Sequence, residues 1–130
     1  GEDKKWCPVS ANTFESTLMK DVHVIGDSSI AGAMPKSGYS ANSEAKVCAQ
    51  NIVALMNGRE TIDLSGINTC YSYITDEEAV SVAAVYAVKD GKIVSVPNSG
   101  GVSPGDFSAA KMEAIYARSW LKNILTEMST

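Results

Sequence analysis

A chain of 130 residues, 45% hydrophobic and 20% charged, is long enough for one domain and too apolar to stay disordered. With 11 Lys and Arg against 15 Asp and Glu, the net charge of -4 denies it the basic surface that nucleic acid requires. No apolar run approaches the ~18 residues of a membrane helix, and composition also excludes collagen and a disulfide-dense miniprotein.

The start, Gly1 to Lys5, is polar and has no signal-peptide pattern, so it reads as a mature or an artificial end. Residues 1–20 are irregular, and Pro8 pushes Cys7 into an extended conformation. Val22-His23-Val24-Ile25-Gly26 predicts a short buried strand, β-branched and ended by glycine. Asp27 follows, then a loop over 28–41 rich in Gly, Ser and Ala. A helix is predicted over 41–57, where Ala45, Cys48, Ala49, Ile52, Val53, Leu55 and Met56 form an apolar stripe. Ser40 or Asn42 would cap its start, and Gly58 stands where a left-handed stop belongs. Residues 59–68 are a polar connection.

Strands follow over 69–75 and 79–89, and Lys89-Asp90-Gly91-Lys92 predicts a type I′ hairpin that returns along Ile93 to Val96. The Ser99-Gly100-Gly101 and Pro104-Gly105 stretch interrupts regular structure. A second amphipathic helix is predicted over 107–127, with Met112, Ile115, Tyr116, Trp120, Ile124 and Leu125 as its apolar side. Two helices and an antiparallel ribbon make an α+β chain. The first strand lacks a sheet partner nearby in sequence, as the last unit of a larger α/β sheet would.

A strand ending in Gly26-Asp27, then small residues and a helix, suits a ligand with hydroxyls and phosphates. Glycine lets backbone approach, the helix start offers N–H groups, and Asp27 can accept from a sugar or ribityl hydroxyl. The competing reading is a strand-to-turn corner. Lys36, in Met34-Pro35-Lys36-Ser37-Gly38, is placed to neutralise an anionic ligand edge, or is a solvated surface lysine.

The three cysteines, Cys7, Cys48 and Cys70, form no zinc motif with the single His23, and no other metal site is expected. Cys48 belongs to the helix stripe and reads as core. Cys70 is a redox thiol or a small core hydrophobe, and Cys7 fits either role. The spacing permits a Cys7–Cys48 or a Cys7–Cys70 bond. His23 alternates with Val22 and Val24 and reads as a hydrogen-bonded structural group. Ser28 and Ser29 lack a hydrolase elbow, and Gly100 to Gly105 is not a dinucleotide fingerprint.

Longer runs carry a resemblance. Trp6-Cys7-Pro8-Val9, Thr13-Phe14-Glu15-Ser16-Thr17, His23-Val24-Ile25-Gly26-Asp27, Met34-Pro35-Lys36-Ser37-Gly38-Tyr39-Ser40-Ala41-Asn42, Asn68-Thr69-Cys70-Tyr71-Ser72, Gly100-Gly101-Val102-Ser103-Pro104 and Ser119-Trp120-Leu121-Lys122-Asn123-Ile124 occur in order over nearly the whole chain. Together they resemble the C-terminal third of the flavoprotein subunit of flavocytochrome c sulfide dehydrogenase.

The resemblance implies a fragment of a glutathione-reductase-like flavoprotein. Residues 1–58 would be the C-terminal end of its FAD-binding domain and 59–130 its C-terminal interface domain. It implies FAD in the full-length enzyme, sulfide as substrate, a cytochrome c subunit as electron-accepting partner and a periplasmic location. Gly26 and Asp27 would be the second FAD fingerprint, with Asp27 on the ribityl chain. Lys36 and Ser37 would lie in the loop near the flavin, Trp120 would lie near it too, and Cys70 would be one half of a redox disulfide.

The N-terminal G-x-G-x-x-G fingerprint and the segment expected to carry the other cysteine are missing from this sequence, and Ser10 stands where an acidic residue is expected. The isolated chain is therefore expected to be inactive and without FAD. A non-catalytic dimerisation or interaction module, or one chain of a split enzyme, are the alternatives, and exposed interfaces would then favour a homo-oligomer.

Overall fold

The computed structural model describes residues 5–129; the rest of the polar start and Thr130 lie outside the described residues. The elements in chain order are β1 (Cys7–Pro8), a 3-10 turn (Gly26–Ser28), β2 (Ser29–Ile30), α1 (Gly38–Met56), β3 (Ser65–Tyr73), β4 (Ala79–Lys89), β5 (Lys92–Ser95), β6 (Gly101–Val102) and α2 (Ala110–Met128). The chain is α+β: two helices and an antiparallel sheet ordered β3-β4-β5, with β6 against β4, beside a two-residue parallel ladder of β1 and β2. It forms two compact units: residues up to Asn68 with Ala84–Ser99, and Thr69–Ala83 with the residues from Gly100 onward.

The first unit closes around Phe14, Met34, Val47, Cys48, Leu64, Tyr86 and Ile93. Phe14 is fully buried although its φ of 56° lies in the left-handed region, where a bulky side chain is strained. Backbone bonds hold it: Phe14 N donates to Ser10 O at 3.0 Å, and its carbonyl accepts from Val24 N at 2.9 Å.

Those bonds also explain a difference from expectation at 22–26. The segment is extended, but it pairs through one isolated bridge, Glu15 with His23, instead of entering a sheet. Val22 and Ile25 are left exposed, so the segment is not the buried strand its composition predicts. His23 has the expected structural role, its Nδ1 lying 2.7 Å from the Thr13 carbonyl.

α1 begins at Gly38, earlier than predicted, because Ser37 is the cap: its side chain accepts from Ser40 N at 3.1 Å. It ends as predicted at a left-handed Gly58, φ +63°. Its buried stripe is not the apolar one. Ser40, Glu44 and Asn51 are buried with Val47 and Cys48, while Val53, Leu55 and Met56 are exposed. The reason lies in the loops, whose backbone groups lack ladder partners and are answered from the helix. Asn51 donates to the carbonyls of Asn12 and Ile62 at 2.7 and 2.9 Å and accepts from Ile62 N at 2.8 Å. Cys48 is core, as read, with Sγ 3.4 Å from Thr13 O.

The hairpin forms as expected. Lys89 faces Lys92, and Asp90 and Gly91 adopt φ of 51° and 72°, the pair a type I′ turn needs.

In the second unit β6 pairs with β4 through Val82↔Val102 and Ala83↔Gly101. α2 starts at Ala110, after a left-handed Phe107 and a turn in which Ser108 bonds Asp106 through both N and Oγ. Its buried residues are Ala110, Ala114 and Ala117; of the predicted apolar side, Met112, Ile115, Tyr116 and Leu125 are exposed. Alanines permit a close approach that larger side chains would block, which periodicity alone does not reveal. Tyr73 Oη bonds the Ala114 carbonyl at 3.3 Å, and an Arg118 N–H donates to the Asp76 carbonyl.

Candidate functional site

Among the described residues, the first unit gathers Gly26, Asp27, Lys36 and Ser37 at one corner. Gly26 needs its freedom at φ +66°; a Cβ there would also meet Ala41 Cβ at 3.4 Å. The 3-10 turn is stitched by Ser29 Oγ donating to Gly26 O at 2.9 Å. Asp27 faces solvent. Ser37, the cap of α1, donates to Asn68 Oδ1 at 2.5 Å, and Ser40 donates to the same oxygen at 3.2 Å. The helix start is thereby fixed to the beginning of β3.

Lys36 is not a free surface lysine. Its ammonium donates to the carbonyls of Asp27 and Ser29, the latter at 3.0 Å, and lies 4.0 Å from the centroid of the Trp6 ring. Two of its three N–H donors are engaged by these carbonyls, and the Trp6 ring lies against the same ammonium. Trp6, Gly26, Met34, Lys36, Ser37 and Glu44 line a cavity of about 120 Å³. Pockets that enclose a drug-sized ligand are ~300–1,000 Å³, so this one is too small to enclose such a ligand whole.

Glu44 is the residue that sequence reasoning missed. It is 2% exposed, and its carboxylate accepts from Gly26 N at 2.6 Å. Burial raises its pKa above the usual carboxylate range; the Gly26 bond and the Lys36 charge oppose that shift, and Asp27 adds to it. The available signal was its position four residues before Cys48, on the buried stripe rather than beside it.

The raised pKa gives a prediction. Between roughly pH 4.3 and the folded value, the native protein binds more protons than the unfolded chain, so this contribution to stability falls as pH rises. Glu44→Gln keeps an acceptor for Gly26 and removes the titration. Denaturant midpoints taken between pH 4 and 7 should therefore converge on acidification, with the wild type losing ground to Glu44→Gln as pH rises. Parallel curves would contradict the assignment.

The second unit holds Cys70 on β3 and Trp120 on α2, both half-buried. No disulfide forms among the described residues, so neither the Cys7–Cys48 nor the Cys7–Cys70 bond is made. Cys7 Sγ lies 3.2 Å from Ser16 Oγ. No group of three or more His, Cys, Asp or Glu among the described residues could hold a metal ion.

A family model described as flavocytochrome c sulphide dehydrogenase, flavin-binding, matches residues 64–128, half of the chain. The chain belongs to this family. The match includes Cys70 and Trp120 and begins just ahead of β3; the Gly26–Ser37 corner precedes it. No helix among the described residues is long and apolar enough to cross a membrane.

Proposed function

We propose that the chain is the C-terminal portion of an FAD-dependent sulfide:cytochrome c oxidoreductase of the periplasm, supplying part of the flavin site and one redox cysteine. In this reading residues 1–58 close the FAD-binding domain of a glutathione-reductase-like fold and 59–130 form its interface domain. The observation that carries it is the Gly26–Ser28 turn beside the capped start of α1, in a chain of a flavin-binding family.

The residues fit one edge of a flavin. An exposed carboxylate follows a glycine corner, and a lysine donor and an indole border a small cavity beside the capped start of α1. Asp27 would accept from a ribityl hydroxyl, and Lys36 and the α1 start would face an electron-rich edge. Bound FAD would supply the two-electron acceptor. As one half of a disulfide with a second cysteine, Cys70 would be the electrophile: sulfide attacks the S–S bond, one cysteine keeps the new persulfide and the other leaves as thiolate, and a cytochrome c subunit would take the electrons onward.

The test uses the whole flavoprotein carrying Cys70→Ser. Flavin content should match wild type, while sulfide-dependent cytochrome c reduction falls about a thousandfold or more. An unchanged rate would remove Cys70 from the chemistry.

The exposed apolar side chains of α2 favour a second reading, an interaction or dimerisation module. Light scattering that finds only monomer at high concentration would count against it.

A further inference from the structure

The Gly26–Ser29 corner is gripped by two charged side chains, one on its amide side and one on its carbonyl side. Glu44 accepts the Gly26 N–H at 2.6 Å from within the buried stripe of α1. Lys36 donates to the carbonyls of Asp27 and Ser29. Asp27, the residue between them, turns its own carboxylate to solvent. The remaining polar residues of that stripe, Ser40 and Asn51, are neutral: Ser40 donates to the Asn68 side chain of β3, and Asn51 answers the loop backbone at Asn12 and Ile62. A neutral amide could answer Gly26 too, so burying a carboxylate there sacrifices hydration that a glutamine would not. What the carboxylate adds is a shorter, stronger bond, because charged acceptors hold an N–H about twice as well.

We propose that Glu44 is the positioning residue of the candidate flavin site: it fixes the Gly26 amide while Lys36 fixes the following carbonyls, and together they set the turn that presents the Asp27 carboxylate. The purpose of this grip rests on the flavin reading; its geometry does not.

The charged and titratable groups around Glu44 come from three elements. Lys36 from the loop favours the ionised form, Asp27 from the turn opposes it, and the Cys48 thiol lies one turn further along α1, its pKa raised by burial and further by Glu44. Protonating Glu44 removes the charge assistance at Gly26, so acid loosens the corner. Its effect on overall stability has the opposite sign, because burial favours the neutral form. A merely structural carboxylate would move local and global stability together, and a positioning one separates them.

The experiment measures amide exchange of the isotope-labelled chain between pH 4 and 7 in wild type, Glu44→Gln and Glu44→Ala. In wild type the protection of Gly26 should fall severalfold on acidification while that of central α1 does not. Glu44→Gln should keep a pH-independent protection. Glu44→Ala should lose at least tenfold at Gly26 at neutral pH, with central α1 unchanged. Equal protection in Glu44→Ala and wild type overturns the proposal, as does a loss spread evenly along α1.

A second arm measures FAD affinity in the whole flavoprotein. Glu44→Ala should weaken it at least tenfold and Glu44→Gln should restore most of it; an affinity equal to wild type in Glu44→Ala overturns the proposal. Wild type that binds no FAD defeats the flavin reading alone, and the exchange data then decide the grip on Gly26.

Discussion

Phe14→Ala is expected to lower the unfolding free energy by about 4 kcal/mol. The side chain is fully buried and central to the cluster with Met34, Val47 and Leu64. The more informative comparison is Phe14→Gly. Both changes remove the ring, but glycine also relieves the left-handed strain at φ 56°. The glycine variant should therefore be the less damaged, by up to about 1 kcal/mol. That reverses the usual order, in which glycine is worse than alanine. Chemical denaturation of the pair decides it, and a glycine variant less stable than the alanine one would contradict the account of Phe14.

Gly32→Ala is the second large effect. A Cβ at Gly32 would sit 2.6 Å from the Ile93 carbonyl oxygen and 3.0 Å from Ile93 Cβ, and the residue has φ +60°. The obstructing atom is backbone, so no rotamer change can relieve it. The neighbouring bond, Ala33 N to Ile93 O at 3.1 Å, ties the loop to β5 and would stretch with it. Strain and overpacking together are expected to cost about 3 kcal/mol. Gly58→Ala is the control. It shares the positive φ, at +63°, but nothing lies within 4 Å of the added atom. It should lose only about 1 kcal/mol, the conformational part. Equal losses at the two sites would show that the contact with Ile93 is not what constrains Gly32.

The elements governed by local chemistry were readable in the sequence. The Asp90-Gly91 hairpin, the Gly58 stop and the two helices follow from turn preferences and periodicity. The parts that escaped depend on distant partners. Val22 to Ile25 has the composition of a strand, but its neighbour in space is the sharply turned Ser10–Ser16 segment, which offers one bridge and no ladder. The buried side of α1 is half polar because loops at Asn12, Gly26 and Ile62 need partners that no hydrophobic pattern encodes. α2 buries alanines because the size of a side chain, and not its hydropathy, sets how closely a helix can approach.

The candidate site divides in the same way. Gly26, Asp27, Lys36 and Ser37 were visible as a glycine corner and a lysine loop ahead of a helix; the first unit sets Gly26, Lys36 and Ser37 around one cavity, with Asp27 joined to Lys36 through its carbonyl and otherwise exposed. Trp6 entered only as part of a motif, and its contact with Lys36 joins residues thirty positions apart with no periodic relation. Glu44 was invisible for a related reason. A glutamate in a helix is ordinarily solvated, and only the amide of Gly26 explains why this one is not.

The most direct test of the flavin reading is the FAD dissociation constant of the whole flavoprotein carrying Asp27→Ala. Loss of a charged acceptor from a ribityl hydroxyl predicts an affinity roughly 10- to 100-fold weaker, with the fold intact by far-UV circular dichroism. An affinity equal to that of the wild type would contradict the assignment of the Gly26–Asp27 corner to the flavin.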